Sequence, residues 1–226
     1  MRVIIRALAG AVATVVSIPL FLTIVYAFVD PPSLAIMRRQ AEGRPAVQMW
    51  RPLDEISPVL IRAVVMAEDA RFCLHWGVDL NQMRIVLREA MDGEPPRGAS
   101  TITMQVVKNL FLWPERDYLR KAVEVPLAFW MDLVLSKDRI LEIYLNIAQW
   151  SASTYGAEAA SQHYFGVPAA NLTREQAVAL ATILPAPGAR DPRNPGRRHR
   201  AIIQHVNREL ERAPWVFTCL PEDIRP

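Results

Sequence analysis

Glu68 and Asp69 stand side by side at the end of an apolar run from Val59 to Ala67, interrupted only by Arg62. A helix is the natural home for that run, and it leaves both carboxylates at a helix C-terminus. There the partial negative charge and the loss of water each disfavour ionisation. Burial and a like-charged neighbour push such a carboxyl pKa up, toward the range of a general base. The plainer reading is a solvated acidic pair at a helix end, and this segment alone leaves both open. Farther along, Gly98-Ala99-Ser100-Thr101-Ile102-Thr103-Met104-Gln105 is a glycine-led loop entering a helix. Backbone amides at that start, with the Ser100 and Thr101 hydroxyls, suit a phosphate or sugar oxygen. Ordinary N-capping by Ser100 is the reading the octet itself favours. Next come Lys108-Asn109, Arg116, Arg120, Lys121 and Glu124. Lys108 falls three residues after Gln105, on the same helix face, and Arg120 and Lys121 fall one turn before Glu124. A salt-bridged surface helix has this pattern, and so does a site where cations stabilise charge growing on a departing diphosphate.

The elements that carry these residues read as helices. Ser57-Pro58 supplies an N-cap and a first-turn proline for the helix ending at Glu68. Asn81–Met91 has helical spacing and stops at Asp92-Gly93; the loop to Arg97 is polar, contains prolines and reads as mobile. Ser100 caps Thr101–Leu110. Tyr118–Leu135 is a long helix with a kink at Pro126. Ser136 caps Lys137–Ile147, and Thr173 with Gln176 forms a capping box ahead of Ala177–Leu184. Arg197–Arg212 reads as a last, amphipathic helix. No alternating strand pattern and no internal repeat is evident, so one all-α domain is expected.

The totals narrow the chemistry. The chain has 226 residues, 51% of them hydrophobic, enough for one core. A net charge of +3 is too mild to imply nucleic acid and suits an anionic substrate or membrane surface. No CxxC, HExxH or glycine-rich phosphate loop is present, so zinc, redox and nucleotide readings have no foothold. Two cysteines, Cys73 and Cys219, allow one disulfide, but nothing in their spacing says that they meet. Residues 7–29 carry no charge and follow Arg2 and Arg6. That is length enough for a bilayer core of about 30 Å, with the N-terminus cytoplasmic and the remainder outside. A cleaved signal peptide is the alternative, though the run is long for one and no small-residue cleavage site follows. The expected organisation is a cytoplasmic tip and membrane anchor over 1–30, a linker over 31–50, and one catalytic domain over 51–226.

Taken together, the segments resemble family 51 glycosyltransferases, the peptidoglycan polymerases. That family's pattern runs ED-x-x-F-x-x-H-x-G, G-x-S-T-[IL]-[ST]-x-Q with K-N after it, R-K-x-x-E, and K-x-x-I-L-E-x-Y-L-N. The chain matches at Glu68, Asp69, Phe72, His75 and Gly77, and again at Gly98, Ser100, Thr101, Ile102, Thr103, Gln105, Lys108 and Asn109. Arg120, Lys121 and Glu124 match the third block, and Lys137, Ile140, Leu141, Glu142, Tyr144, Leu145 and Asn146 the fourth. A fifth block runs from Tyr155 to Gly166. Ordered blocks over so much chain are far more specific than any single motif. Met104 departs from the pattern, at a position that is often Gln.

The resemblance implies a lysozyme-like, two-lobed helical domain behind a single N-terminal transmembrane helix, in the bacterial inner membrane. It implies lipid II and the growing lipid-linked glycan as substrates, and the division or elongation machinery as partners. Glu68 becomes the base that deprotonates the acceptor hydroxyl. Glu124, Lys108, Arg116 and Arg120 become the pyrophosphate site, with Glu124 acting through a divalent cation (Mg or Mn) or a cation network. Asp69, Phe72, His75, Ser100, Thr101, Gln105 and Asn109 shape the groove; for His75 a structural hydrogen bond is expected, and Cys73 is given no chemistry. Two rivals stand beside this reading. A lytic, glycan-cleaving enzyme needs the glutamate but no cationic pyrophosphate site. An inactive membrane-anchored scaffold would be expected to lack Glu68 or Glu124.

Overall fold

In the computed structural model, residues 17–93, 98–115 and 117–225 are described. After a helical stretch over 17–25, helices follow at Leu34–Ala41 (α1), Pro58–Glu68 (α2), Leu80–Met91 (α3), Ile102–Phe111 (α4), Tyr118–Val134 (α5), Lys137–Ile147 (α6), Ala157–Phe165 (α7), Arg174–Ala181 (α8) and Arg197–Arg212 (α9). The fold is therefore mostly helical, as the spacing predicts. One feature was not foreseen: Val47–Gln48 (β1) pairs in parallel with Thr154–Tyr155 (β2). Two residues are too few to show an alternating pattern, so this pairing has no sequence signature.

The helices start where side chains can satisfy their free amides. Ser136 accepts from the Arg139 amide at the head of α6, and Thr173 and Gln176 make a full capping box on α8. Ser57 precedes α2 but gives it no side-chain bond; Pro58 at the first position does the pre-organising. At α4 the expected cap is corrected. Thr101, not Ser100, is the N-cap, accepting from the Met104 amide at 3.1 Å. Ser100 is displaced from that role because the Asp69 carboxylate reaches across to take the Ile102 amide at 3.0 Å.

Helix α4 packs between α5 and α6, α2 packs against α8 and α9, and α1 lies on α4. One continuous apolar cluster runs through these contacts, with Leu60, Phe72, Ile102, Met104, Leu141 and Trp150 fully enclosed. Truncating any one of the larger of these to Ala costs about 2–5 kcal/mol. Gly77 allows a close approach: a Cβ there would lie 2.2 Å from the Ala128 carbonyl oxygen of α5, and its φ of +76° suits glycine.

Among the described residues no helix is long and apolar enough to cross a membrane. Residues 7–16 of the expected 7–29 span, like residues 94–97 of the loop expected to be mobile, lie outside the described residues. The part of the span that is described rests on the domain. Trp130 Nε1 donates to the Leu20 carbonyl, Tyr26 stacks on Phe111, and Arg139 donates to the carbonyls of Tyr26 and Val29 and pairs with Asp30.

Candidate active site

The apolar face of α2 buries Leu60, Ile61, Ala63, Val64 and Val65, which drives the end of the helix inward and carries Glu68 and Asp69 with it. Asp69 Oδ1 and Oδ2 each lie 3.0 Å from His75 Nε2, and Oδ2 also accepts the Ile102 amide. This carboxylate therefore ties the head of α4 to the loop after α2. His75 has the structural hydrogen bond expected of it. Glu68 is treated differently. Its Oε2 accepts from Gln105 Nε2 at 2.9 Å, while Oε1 is out of solvent with no partner. Burial raises the Glu68 pKa above the ordinary glutamate value; the Gln105 bond opposes this, Asp69 adds to it, and Lys108 and Tyr144 oppose it. The Tyr144 hydroxyl, buried on α6, donates to Gln105 Oε1 at 3.3 Å.

A second layer holds the segment between Asp69 and His75. Phe72 is enclosed, and Lys137 Nζ sits 4.6 Å from its ring centroid. Lys137 also donates to the His75 carbonyl at 2.8 Å and to Asp132 Oδ2 at 2.6 Å, and that oxygen accepts from the Thr103 hydroxyl. Lys137 and Asp132 carried no role in the sequence reading, although Lys137 lies within a matched block. Cys73 and Cys219 are joined in a disulfide with Cα atoms 5.3 Å apart, fastening this segment to the chain beyond α9. Their separation of 146 residues left no local signal by which to pair them.

The second cluster forms around the first turn of α5. Asp117 caps that helix, accepting the Arg120 amide at 2.6 Å and Trp113 Nε1 at 2.7 Å. Arg120 Nη1 then donates to Glu124 Oε2 at 2.7 Å, and Lys121 Nζ to Glu124 Oε1 at 2.8 Å. Glu124 is only 2% exposed, so this is a buried clamp rather than a solvated surface pair. Breaking such a pair costs about 3–5 kcal/mol. Lys121 also donates to Ser100 Oγ at 3.0 Å and lies 3.9 Å from the Met104 sulfur. The departure from the family pattern thus sits at the cationic cluster, not beside Glu68. A divalent ion ligated by Glu124 does not fit this arrangement, since each carboxylate oxygen is already taken by a cation that would repel it.

The remaining expected site residues are distributed along the same element. Thr101 uses its hydroxyl internally, donating to the Gly77 carbonyl while accepting from Met104. With the Ile102 amide held by Asp69, two polar groups at the head of α4 are engaged within the protein. Lys108 and Asn109 are half-buried on α4, one turn past Gln105, and Lys108 acts electrostatically on Glu68. Arg116 lies outside the described residues. The result is an under-coordinated carboxylate and a cationic cluster, both bound to the stretch from Ser100 to Lys108. The first can exchange a proton, and the second can neutralise a phosphorylated group.

Comparison with known proteins gives consistent matches. The Transglycosylase family model matches residues 36–213. The chain is 50% identical over 206 residues to the biosynthetic peptidoglycan transglycosylase of Brucella suis biovar 1 (strain 1330), covering 90% of this chain and 92% of that protein. To the protein of the same description from Mesorhizobium japonicum it is 47% identical over 211 residues, 92% and 89% of the two chains. To the one from Rhizobium etli it is 44% identical over 223 residues, 98% and 96% of the two.

Proposed function

The chain belongs to the transglycosylase family, and on that premise we propose that it polymerises lipid II into the β-1,4 glycan strands of peptidoglycan. The observation that carries this reading is the Glu68 carboxylate, raised in pKa and with Oε1 unpartnered, linked through α4 to a cluster of cations: Gln105 donates to Glu68, and Lys121 of the cluster donates to Ser100 just before that helix. Glu68 takes the proton of the acceptor's GlcNAc 4-hydroxyl. The freed oxygen attacks the anomeric carbon of the lipid-linked growing chain from the face opposite the leaving group. The configuration inverts, the bond to the pyrophosphate breaks, and undecaprenyl pyrophosphate departs with both electrons. Lys108, Lys121, Arg120 and Arg116 neutralise the charge that grows on that pyrophosphate, a contribution worth about 2.7–4 kcal/mol per well-placed donor in comparable sites. Glu124 holds Arg120 and Lys121 in place and takes no part in metal binding. Phe72, His75, Asp69, Ser100, Thr101, Gln105 and Asn109 shape and stiffen the groove around the two centres. A glycan-cleaving enzyme has no departing pyrophosphate and no use for this cationic cluster.

The rest of the reading follows from the substrate. A lipid-carried donor requires the groove to stand at a membrane, with residues 1–30 as a single-pass anchor, 31–50 as the membrane-proximal link and 51–226 as a lysozyme-like, two-lobed catalytic domain. The N-terminus is cytoplasmic and the domain extracytoplasmic. The disulfide supports that side, since such bonds persist in oxidising compartments. Phe21 and Phe28, within the expected span, are exposed, as a lipid-facing stretch requires. Proteins of cell division or elongation are the natural partners there. The test is polymerisation of labelled lipid II by the full-length protein in detergent or vesicles, beside Glu68→Gln. Polymer from the wild type and none from the variant is the expected result; no polymer from a folded wild type would overturn the reading.

A further inference from the structure

Glu68 faces a physical difficulty. Burial and the Asp69 carboxylate favour its neutral form, and a neutral acid cannot take a proton. Three charged or titratable groups face it from the elements around it: Asp69 at the end of its own helix, Lys108 on α4 and Tyr144 on α6. Its hydrogen bond from Gln105 Nε2 at 2.9 Å favours the ionised form. That bond depends on which way the Gln105 amide is turned. An amide has nearly the same shape after a half-turn, and turned over it would present a carbonyl oxygen to Glu68. Only a protonated Glu68 would accept that neighbour.

The group that decides the orientation is the Tyr144 hydroxyl. It donates to Gln105 Oε1 at 3.3 Å and is close enough to Glu68 for each to shift the other's ionisation. The side chain is 1% exposed, so water does not offer an alternative acceptor. Burial, together with the Glu68 and Asp69 carboxylates, holds the phenol well above its usual range, so it keeps its proton. That proton has to be donated to Gln105 or to Glu68. In the first case the amide is fixed with its N–H toward Glu68; in the second the hydroxyl itself becomes the donor.

We propose that Tyr144 is a positioning residue for the reaction, whose hydroxyl proton guarantees Glu68 a hydrogen-bond donor and thereby keeps it ionised and able to act as a base. The proposal rests on the reading of Glu68 as that base. Phenylalanine at this position keeps the ring and removes only the hydroxyl, and with it the proton, leaving Gln105 free to turn.

The experiment is kcat/KM for polymerisation of labelled lipid II against pH, using the full-length, membrane-embedded protein. Wild type, Tyr144→Phe, Gln105→Met and Glu68→Gln are compared, with thermal melting to establish that each is folded. Tyr144→Phe is expected to move the acid limb to higher pH, with kcat/KM about tenfold lower on the acid side and within about twofold of wild type on the alkaline plateau. Gln105→Met removes the amide donor but leaves the Tyr144 hydroxyl, whose proton then has only Glu68 to go to, so its limb is expected to move in the same direction by a smaller amount. A limb that stays in place in both variants, or a loss equal at every pH, with Glu68→Gln inactive, makes Tyr144 a packing residue and overturns this proposal alone. Glu68→Gln polymerising at the wild-type rate overturns the base assignment and the proposal with it.

Discussion

Glu68 and Glu124 are both glutamates at helix positions turned inward, one bound to Gln105 of α4 and the other to two cations of its own helix, and their surroundings are opposite. Glu124 has a cation on each oxygen, Arg120 on one and Lys121 on the other. Glu68 has one neutral amide on one oxygen and nothing on the other. The difference teaches how one residue type is given two opposite environments. A carboxylate saturated by cations is a fixed anchor, and its usefulness lies in the donors it holds apart. A carboxylate left short of partners is poised to change its protonation state.

The largest expected effect separates the two directly. Glu68→Gln should lower polymerisation by about 10²–10⁴, the range for loss of a general base, and should at the same time stabilise the protein at neutral pH. Burial raises the folded-state pKa of Glu68, so folding favours its neutral form more than the unfolded chain does. The stability associated with it is present below the ordinary glutamate value and lost as pH rises through the raised value. A glutamine never ionises; its Tm should exceed that of the wild type at neutral and alkaline pH, and the gap should close in acid. Glu124→Gln should do the reverse to stability, leaving two cations without their counter-charge and costing about 3–5 kcal/mol. Melting curves of both variants across pH test the contrast, and Tm shifts of the same sign at neutral pH would break it.

Two smaller effects sharpen the comparison. Cys73→Ser releases only the segment beside Glu68 and should cost about 2–4 kcal/mol, measured by denaturant unfolding. It should lower kcat while leaving the apparent affinity for the lipid-linked donor close to wild type, because the Arg120–Glu124–Lys121 cluster does not touch that segment. Thr101→Val removes the cap from α4, which serves both ends, and should cost about 1 kcal/mol without separating them.

What could be read in the sequence was what is decided locally. The α6 boundaries and the α8 capping box follow from Ser136, Thr173 and Gln176, each acting within three residues of itself. The acidic pair was legible for the same reason: an apolar run that ends in two carboxylates has to bury them in part. The bond Asp69 makes escaped, because its partner is Ile102, on another helix, and that distant carboxylate goes with the cap at Thr101 rather than Ser100. Lys137, Asp132 and Thr103 meet only after α4, α5 and α6 have packed. Tyr144 could be matched to a pattern, but its bond to Gln105 belongs to tertiary structure. The cationic cluster was half legible. The spacing of Arg120, Lys121 and Glu124 gave the pairing, but the burial that turns a surface pair into a clamp depended on the neighbouring helix.

The Cys73–Cys219 bond has a consequence in time. A polypeptide is made, and delivered across a membrane, from its N-terminus onward. Cys73 therefore arrives long before Cys219, with α3 to α9 between them. The clamp on α5 is complete as soon as α4 and α5 have met, whereas the covalent fastening beside Glu68 waits for the chain beyond α9. In a newly made molecule, the ion cluster on α5 can be assembled before the segment beside Glu68 is covalently fastened.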